Sequence, residues 1–114
     1  MPGQPTWAQQ NIGDFAPKLV SLTDELLFGD IWERPGLSKR DRSLITVAIL
    51  VALYRTDAMV AHMKRAIDNG LTLEELIEAI THIAFYAGWP NAMTAITTAK
   101  SLFGPAAQAP TSAG

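Results

Sequence analysis

Residues 66–92, AIDNGLTLEELIEAITHIAFYAGWPNA, contain the local signals that decide the fold. Thr72, with Glu75 three residues later, is a capping box that predicts the start of a helix. Gly88 ends that helix, because glycine adopts the backbone conformation that commonly closes one. Pro90 falls in the first turn of a following helix, where its missing N–H group costs nothing. The stretch therefore predicts two helices joined by a tight corner.

A helical periodicity of apolar residues extends through most of the chain. Apolar residues recur at steps of three and four from Asp14 onward, which is typical of amphipathic helices. Leu44–Leu53 is apolar on all sides except at Thr46, so we expect it to form a central, fully enclosed helix. No alternating strand pattern appears. The sequence predicts an all-α bundle of five to six helices with short connections.

The ends of the chain differ from its middle. Residues 1–13 contain Pro2, Gly3 and Pro5 and show no helical period, so we expect a flexible arm. Residues 14–104 form the predicted single domain. Residues 105–114, PAAQAPTSAG, are predicted to be disordered because this segment consists of small and polar residues and prolines.

Composition excludes several classes of function. The 114 residues include no cysteine, which rules out disulfides, thiolate metal sites and nucleophilic thiols. A net charge of −2 without a basic run argues against a nucleic-acid partner. No apolar run is long enough to span a membrane and no signal peptide is visible, so we expect a cytoplasmic location. Hydrophobic residues make up 48% of the chain, an excess that predicts a homo-oligomer.

Arg55 and His62 are the first candidate site residues. Their spacing of seven places them about 20 degrees apart around a helix axis. Histidine can exchange a proton near neutral pH, and arginine can hold a carboxylate by two parallel hydrogen bonds. The pattern also fits a boundary histidine beside a surface cation at a helix end, and spacing alone favours this simpler interpretation. Thr56 is the predicted helix cap.

His82 is the second candidate. Glu78 and Tyr86 lie four residues before and after it, so all three share one helix face. A carboxylate beside a histidine fixes its tautomer, although an ordinary surface pair fits the same spacing. We expect no metal site, because no pair of histidines has ligand spacing.

Two further features contain candidate binding groups. Aromatic residues flank the corner at FYAGWPNA, residues 85–92, where tight helix packing explains them equally well. Trp32 lies near a basic cluster that includes Arg42. Such a cluster can attract an acidic substrate, but it is more often a solvated face.

The order of these motifs resembles a known family. FGDIWERPGLSKRDRSLITVA (residues 28–48) and HMKRAIDNGLTLEELIEAITHIAFYAGWPNAMTA (residues 62–95) are similar to the carboxymuconolactone decarboxylase family. That family lies in the superfamily of the AhpD-type alkylhydroperoxidases. The resemblance covers about Phe28 to Phe103. It implies an AhpD-like all-α fold that assembles as a hexamer, built as a trimer of dimers, or as a trimer.

The sequence departs from the redox branch of that superfamily. That branch has a CxxC pair with a histidine four residues after the second cysteine. Anchoring that histidine on His62 places the cysteine positions at Arg55 and Ala58, and the branch's acidic relay residue at about Ser43. The histidine matches, while both thiols and the carboxylate do not. Thiol peroxidase activity therefore cannot operate here.

The remaining resemblance is to the decarboxylase branch, and it implies a cofactor-free lyase, or an isomerase, for a small carboxylated lactone or related acid in aromatic-compound catabolism. Under this hypothesis Arg55 anchors an anion and His62 transfers a proton. Trp32, Tyr86 and Trp89 wall the pocket, with Arg42 as a further binding group. His82, oriented by Glu78, and Ser43 would support these residues without contacting the substrate. The alternative is a non-catalytic oligomeric binding or accessory protein on the same scaffold.

Overall fold

The structure, a computed structural model, describes residues 4–105. The regular secondary structure of these residues is entirely helical, with no strand. The helices are α1 (Trp7–Ile12), α2 (Pro17–Ser21), α3 (Lys39–Ala52), α4 (Thr56–Asp68), α5 (Leu73–Ala87) and α6 (Trp89–Phe103), with a π-helix at Leu22–Leu27 and a 3-10 helix at Ile31–Glu33. The all-α prediction of five to six helices is confirmed. The predicted disordered tail lies outside the described residues, apart from Pro105.

The chain divides into two compact units, one extending to Lys39 and the other beginning at Arg40. This boundary falls inside the predicted domain of residues 14–104. None of the helices within residues 4–105 combines the length and the hydrophobicity that crossing a bilayer requires.

The first unit contains a helix where the sequence showed no period. The Thr6 hydroxyl accepts a hydrogen bond from the Gln9 backbone N–H, while the Gln9 side chain accepts one from the Thr6 N–H. This capping box starts α1, so a helix occupies Trp7–Ile12 within the predicted flexible arm. Further along the unit, the ring of the buried Trp32 lies 6.2 Å from that of Phe28.

The core of the second unit is formed by one face each of α3, α4, α5 and α6. Its fully buried members include Met59, Met63, Leu76 and Ile80. Three alanines form the buried face of α6, at positions 92, 95 and 99, while Met93 on the same helix is 53% exposed.

Helix α3 buries only one side. Val47 and Val51 belong to the core, but Ile45, Ile49 and Leu53 are 46%, 50% and 66% exposed. The prediction of a fully enclosed helix is therefore wrong within this chain. The three exposed residues recur every four positions, so they form a continuous apolar face.

Local chemistry fixes the connections. Thr72 and Glu75 form the predicted capping box at the start of α5. Gly88 has a φ of 107°, a conformation that L side chains rarely adopt, and it separates α5 from α6 as predicted. The Asn91 amide donates hydrogen bonds to the carbonyls of Val51, at 2.9 Å, and Ala52, at 3.2 Å. This side chain at the start of α6 therefore caps the C-terminal end of α3.

Candidate functional site

Arg55 occupies the capping position of α4, immediately before the first helical residue, Thr56. Its Nε donates to Asp57 Oδ1 at 3.1 Å and its Nη2 donates to Oδ2 at 2.7 Å. The hydrogen bonds with Asp57 raise the pKa of Arg55, and those with Arg55 lower the pKa of Asp57. The prediction that the Thr56 side chain caps this helix was wrong, because no side chain caps it.

The pair with Asp57 leaves part of the guanidinium available. Arginine has five N–H donors, and Asp57 receives a bond from only one edge of the group. The other edge, formed by Nη1 and Nη2, is not hydrogen-bonded to any residue in the described range. The Arg55 side chain is 57% exposed. It is thus a fixed cation that retains a free edge for a carboxylate.

His62 is partly buried on the same helix, two turns after Arg55. Its Nδ1 atom is enclosed and has no hydrogen-bond partner within residues 4–105. Burial, with a smaller effect from the positive charge of Arg65, lowers the pKa of the His62 imidazole below its usual value. The neutral form of His62 is therefore favoured.

Ser43 is only 1% exposed on α3. Its hydroxyl accepts a hydrogen bond of 2.9 Å from the Asn69 side-chain amide at the end of α4. A neutral hydrogen-bonded pair therefore occupies the position where the resemblance to the redox branch places an acid. The sequence marked Asn69 only as a helix end, and nothing local signalled this contact across 26 residues.

His82 lies in an open groove of 480 Å³ between α3 and α5. Its ring stacks on Tyr86 with 4.9 Å between centroids. No hydrogen bond or ion pair joins His82 to Glu78 in the described part of the chain, so the structure does not display the predicted orienting contact. At the groove's other end, Arg40 pairs with both Glu75 and Asp41. Because that cation is already neutralised and Glu78 also lines the groove, the groove has little attraction for an anionic ligand.

Trp89, at the start of α6, packs against Phe85 of α5. The two rings meet edge-on with 5.4 Å between their centroids, and Trp89 also lines an apolar cavity of 140 Å³ between α5 and α6. Tyr86 is 81% exposed and Trp89 57% exposed. These rings form a large apolar surface at the corner.

The other predicted binding residues are placed as follows. Arg42 is partly buried on α3, and Trp32 belongs to the first unit, where it packs on Phe28. Their roles stay predictions. The pairing of Asp57 with Arg55 was not predicted from the sequence. Nowhere in residues 4–105 do three or more histidine, aspartate or glutamate side chains cluster as metal ligands do.

Comparison with known proteins gives consistent matches over most of the chain. Residues 17–101 match the model of the carboxymuconolactone decarboxylase family. The chain is 37% identical over 94 residues to 4-carboxymuconolactone decarboxylase of Acinetobacter baylyi, covering 82% of this chain and 70% of that protein. It is 34% identical over 96 residues to nitrosuccinic acid decarboxylase npaB of Metarhizium robertsii, covering 83% and 67%.

Proposed function

Because this chain belongs to the carboxymuconolactone decarboxylase family, we propose that it is a decarboxylase acting on a small carboxylated lactone or a related acid. The observation that carries the proposal is that both similar proteins, from a bacterium and a fungus, are named decarboxylases. The absence of cysteine removes the thiol chemistry of the wider superfamily.

The two relatives suggest the substrate class. One is named for 4-carboxymuconolactone and the other for nitrosuccinic acid. Both compounds combine a carboxyl group with an electron-accepting group, which is a lactone carbonyl in the first and a nitro group in the second. We infer that the substrate of this chain has the same combination. The electrons left by departing CO2 then move into the acceptor.

Such a reaction places three demands on the site. One group must hold the substrate carboxylate, another must stabilise the developing negative oxygen, and a proton must reach carbon. The free edge of Arg55 suits the first demand, because a guanidinium binds a carboxylate by two parallel bonds. Asp57 holds Arg55 in place, which reduces the entropy lost when the substrate binds.

His62 suits the second or third demand. Seven residues of helix rise about 10 Å along the axis, so we propose that the substrate bridges the guanidinium of Arg55 and the imidazole of His62. Tyr86 and Trp89 are proposed as pocket walls, with Arg42 as a further anion-binding group, and the binding role of Trp32 stays a prediction. His82, Glu78 and Ser43 are proposed as supporting residues.

We further propose a homo-oligomer, either a trimer or a hexamer built as a trimer of dimers. Its support is the apolar surface that α3 exposes, together with the exposed rings at the α5–α6 corner. A monomer seldom exposes apolar surface so continuously. The oligomer number comes from the resemblance to the family.

The test is to incubate the purified protein with 4-carboxymuconolactone, and separately with nitrosuccinate, while CO2 release and ultraviolet absorbance are followed. We expect release from at least one compound, with a loss of about 10²-fold or more in His62→Ala. Lys64→Gln is the control, because Lys64 is exposed on the same helix. Equal rates in wild type and His62→Ala would remove His62 from the mechanism. No CO2 from either compound would contradict the proposed activity on this class.

A further inference from the structure

His62 presents its two ring nitrogens to different surroundings. Nδ1 is enclosed by the protein and makes no hydrogen bond in the described residues, whereas Nε2 is not enclosed in this way. Met59, Met63 and Ala66 are fully buried beside it on α4 and supply no acceptor. Only Nε2 can therefore reach a ligand.

This asymmetry favours one position for the proton of a neutral imidazole. A proton on Nδ1 would be a buried N–H donor without an acceptor, and orphaned buried N–H groups of the backbone are rarer in proteins than under-satisfied carbonyl acceptors. A proton on Nε2 faces the accessible side, where water or a substrate oxygen can accept it. The tautomer of a histidine is set by the bonds that its nitrogens make, and no bond holds a proton on Nδ1. The imidazolium would place an N–H donor on both nitrogens and is disfavoured for the same reason.

We propose that His62 acts as a neutral hydrogen-bond donor, whose Nε2–H binds the substrate oxygen on which negative charge develops as CO2 leaves. This inference rests on the proposed decarboxylase function. A neutral imidazole is an effective electrophile of this kind. The positive charge of Arg65 acts in the same direction, because it opposes protonation of His62 and favours an anion nearby.

The step balances without a proton from His62. The bond between the carboxylate carbon and its neighbour breaks, and CO2 departs. The bonding electron pair moves into the lactone carbonyl or nitro group, and the oxygen there becomes negative. Water then delivers a proton to carbon and releases hydroxide. Nε2–H lowers the energy of the negative oxygen throughout and keeps its own proton.

The direct test is nuclear magnetic resonance of protein labelled with ¹⁵N in its histidines. The chain contains only two histidines, so His62→Gln and His82→Gln samples assign every ring signal. At pH 7 we expect His62 to show a protonated Nε2 and an unprotonated Nδ1. A protonated Nδ1, an imidazolium, or an even mixture of tautomers would overturn the proposal.

The second test compares side chains that place an amide nitrogen at different positions. The amide nitrogen of His62→Gln lies where Nε2 lies in histidine, whereas that of His62→Asn lies one bond short. We expect His62→Gln to retain about a tenth of the wild-type kcat, and His62→Asn to fall about 10²–10³-fold, as His62→Ala does. Circular dichroism checks that all three variants fold. Equal losses in all three would contradict a donor role and indicate proton transfer by histidine.

These two tests separate the inference from the proposed function. If CO2 is released but Nδ1 holds the proton, the function stands and the donor role fails. If neither compound is decarboxylated while the resonance pattern is as expected, the proposed function fails. The tautomer assignment is then correct, but the role of His62 as a donor in decarboxylation is overturned.

Discussion

The Asn69 side-chain amide donates a hydrogen bond of 2.9 Å to the buried hydroxyl of Ser43, and this bond ties the end of α4 to α3. It lies on the opposite end of α4 from Arg55. The contact therefore fixes the helix that contains the proposed site at its far end.

Ser43→Ala should destabilise the protein, because it removes the acceptor of the partly buried Asn69 amide. The expected loss is about 1–3 kcal/mol in the free energy of unfolding, measured with urea. Asn69→Ala should have a similar effect, and the double variant should lose less than the sum. Ser101→Ala, at an exposed position, is the control. A loss under about 0.5 kcal/mol in Ser43→Ala would show that the bond adds little.

Arg55→Lys should weaken substrate binding, since lysine has no planar fork for a carboxylate. We expect KM to rise about 10–100-fold while kcat changes far less. Asp57→Asn should raise KM by a smaller factor, because it loosens Arg55 without removing its charge. Steady-state kinetics checks both, with Lys64→Gln as the matched variant. An unchanged KM in Arg55→Lys would exclude Arg55 as the anchor.

The stability of the protein should depend on pH through His62. Burial lowers the pKa of His62 in the folded protein below its ordinary value of 6.5. Between these two values the unfolded chain binds more protons, so the free energy of unfolding decreases as pH falls through this window and is fully restored above 6.5. Urea titrations of wild type and His62→Gln, from about pH 5 to 8, measure the difference. Parallel curves would show that the folded and unfolded pKa values do not differ.

Asp57 and Glu75 titrate in a separate window. The pKa of Asp57 is lowered mainly by Arg55, and that of Glu75 mainly by the Thr72 backbone N–H. Their contribution to stability is present above the ordinary pKa values of 3.8 and 4.5 and is lost as pH falls below them. The His62 effect begins at higher pH, below 6.5, and is therefore measured by the difference between wild type and His62→Gln.

Ile49→Glu should disrupt self-association, because it places a charge in the centre of the apolar α3 face. Light scattering coupled to gel filtration should show a smaller species than wild type. Ser101→Glu introduces the same charge at an exposed polar position and should leave the mass unchanged. An unaltered mass in Ile49→Glu would mean that this face is not the subunit interface.

Short-range chemistry was the part of the fold that the sequence predicted best. The Thr72–Glu75 capping box and the Gly88 corner depend on a few adjacent residues, so the sequence predicted them correctly. The exposure of one face of α3 could not be predicted, because hydrophobicity does not specify whether the same chain or another copy covers a residue. On α6 the alanines are buried in preference to Met93, since small side chains allow close helix packing.

The roles of the candidate site residues stay predictions. Spacing and the resemblance singled out Arg55 and His62, but Arg55 is the capping residue before α4, so helical spacing does not fix the direction of its side chain. The clamp from Asp57 was missed because residues two apart do not face each other within a helix, whereas Arg55 lies outside it. The enclosed Nδ1 depends on tertiary packing, which no local pattern reveals.

The Asn91 amide has a consequence for synthesis of the chain on the ribosome. It closes the end of a helix that was made 40 residues earlier. Until Asn91 leaves the ribosome, the carbonyl of Ala52 lacks its side-chain partner, and the carbonyl of Val51 keeps only the 3.1 Å hydrogen bond from the Tyr54 backbone N–H. We expect the last turn of α3 to fray during translation, and nascent chains that end before residue 91 to be cleaved there by protease more readily than the complete chain.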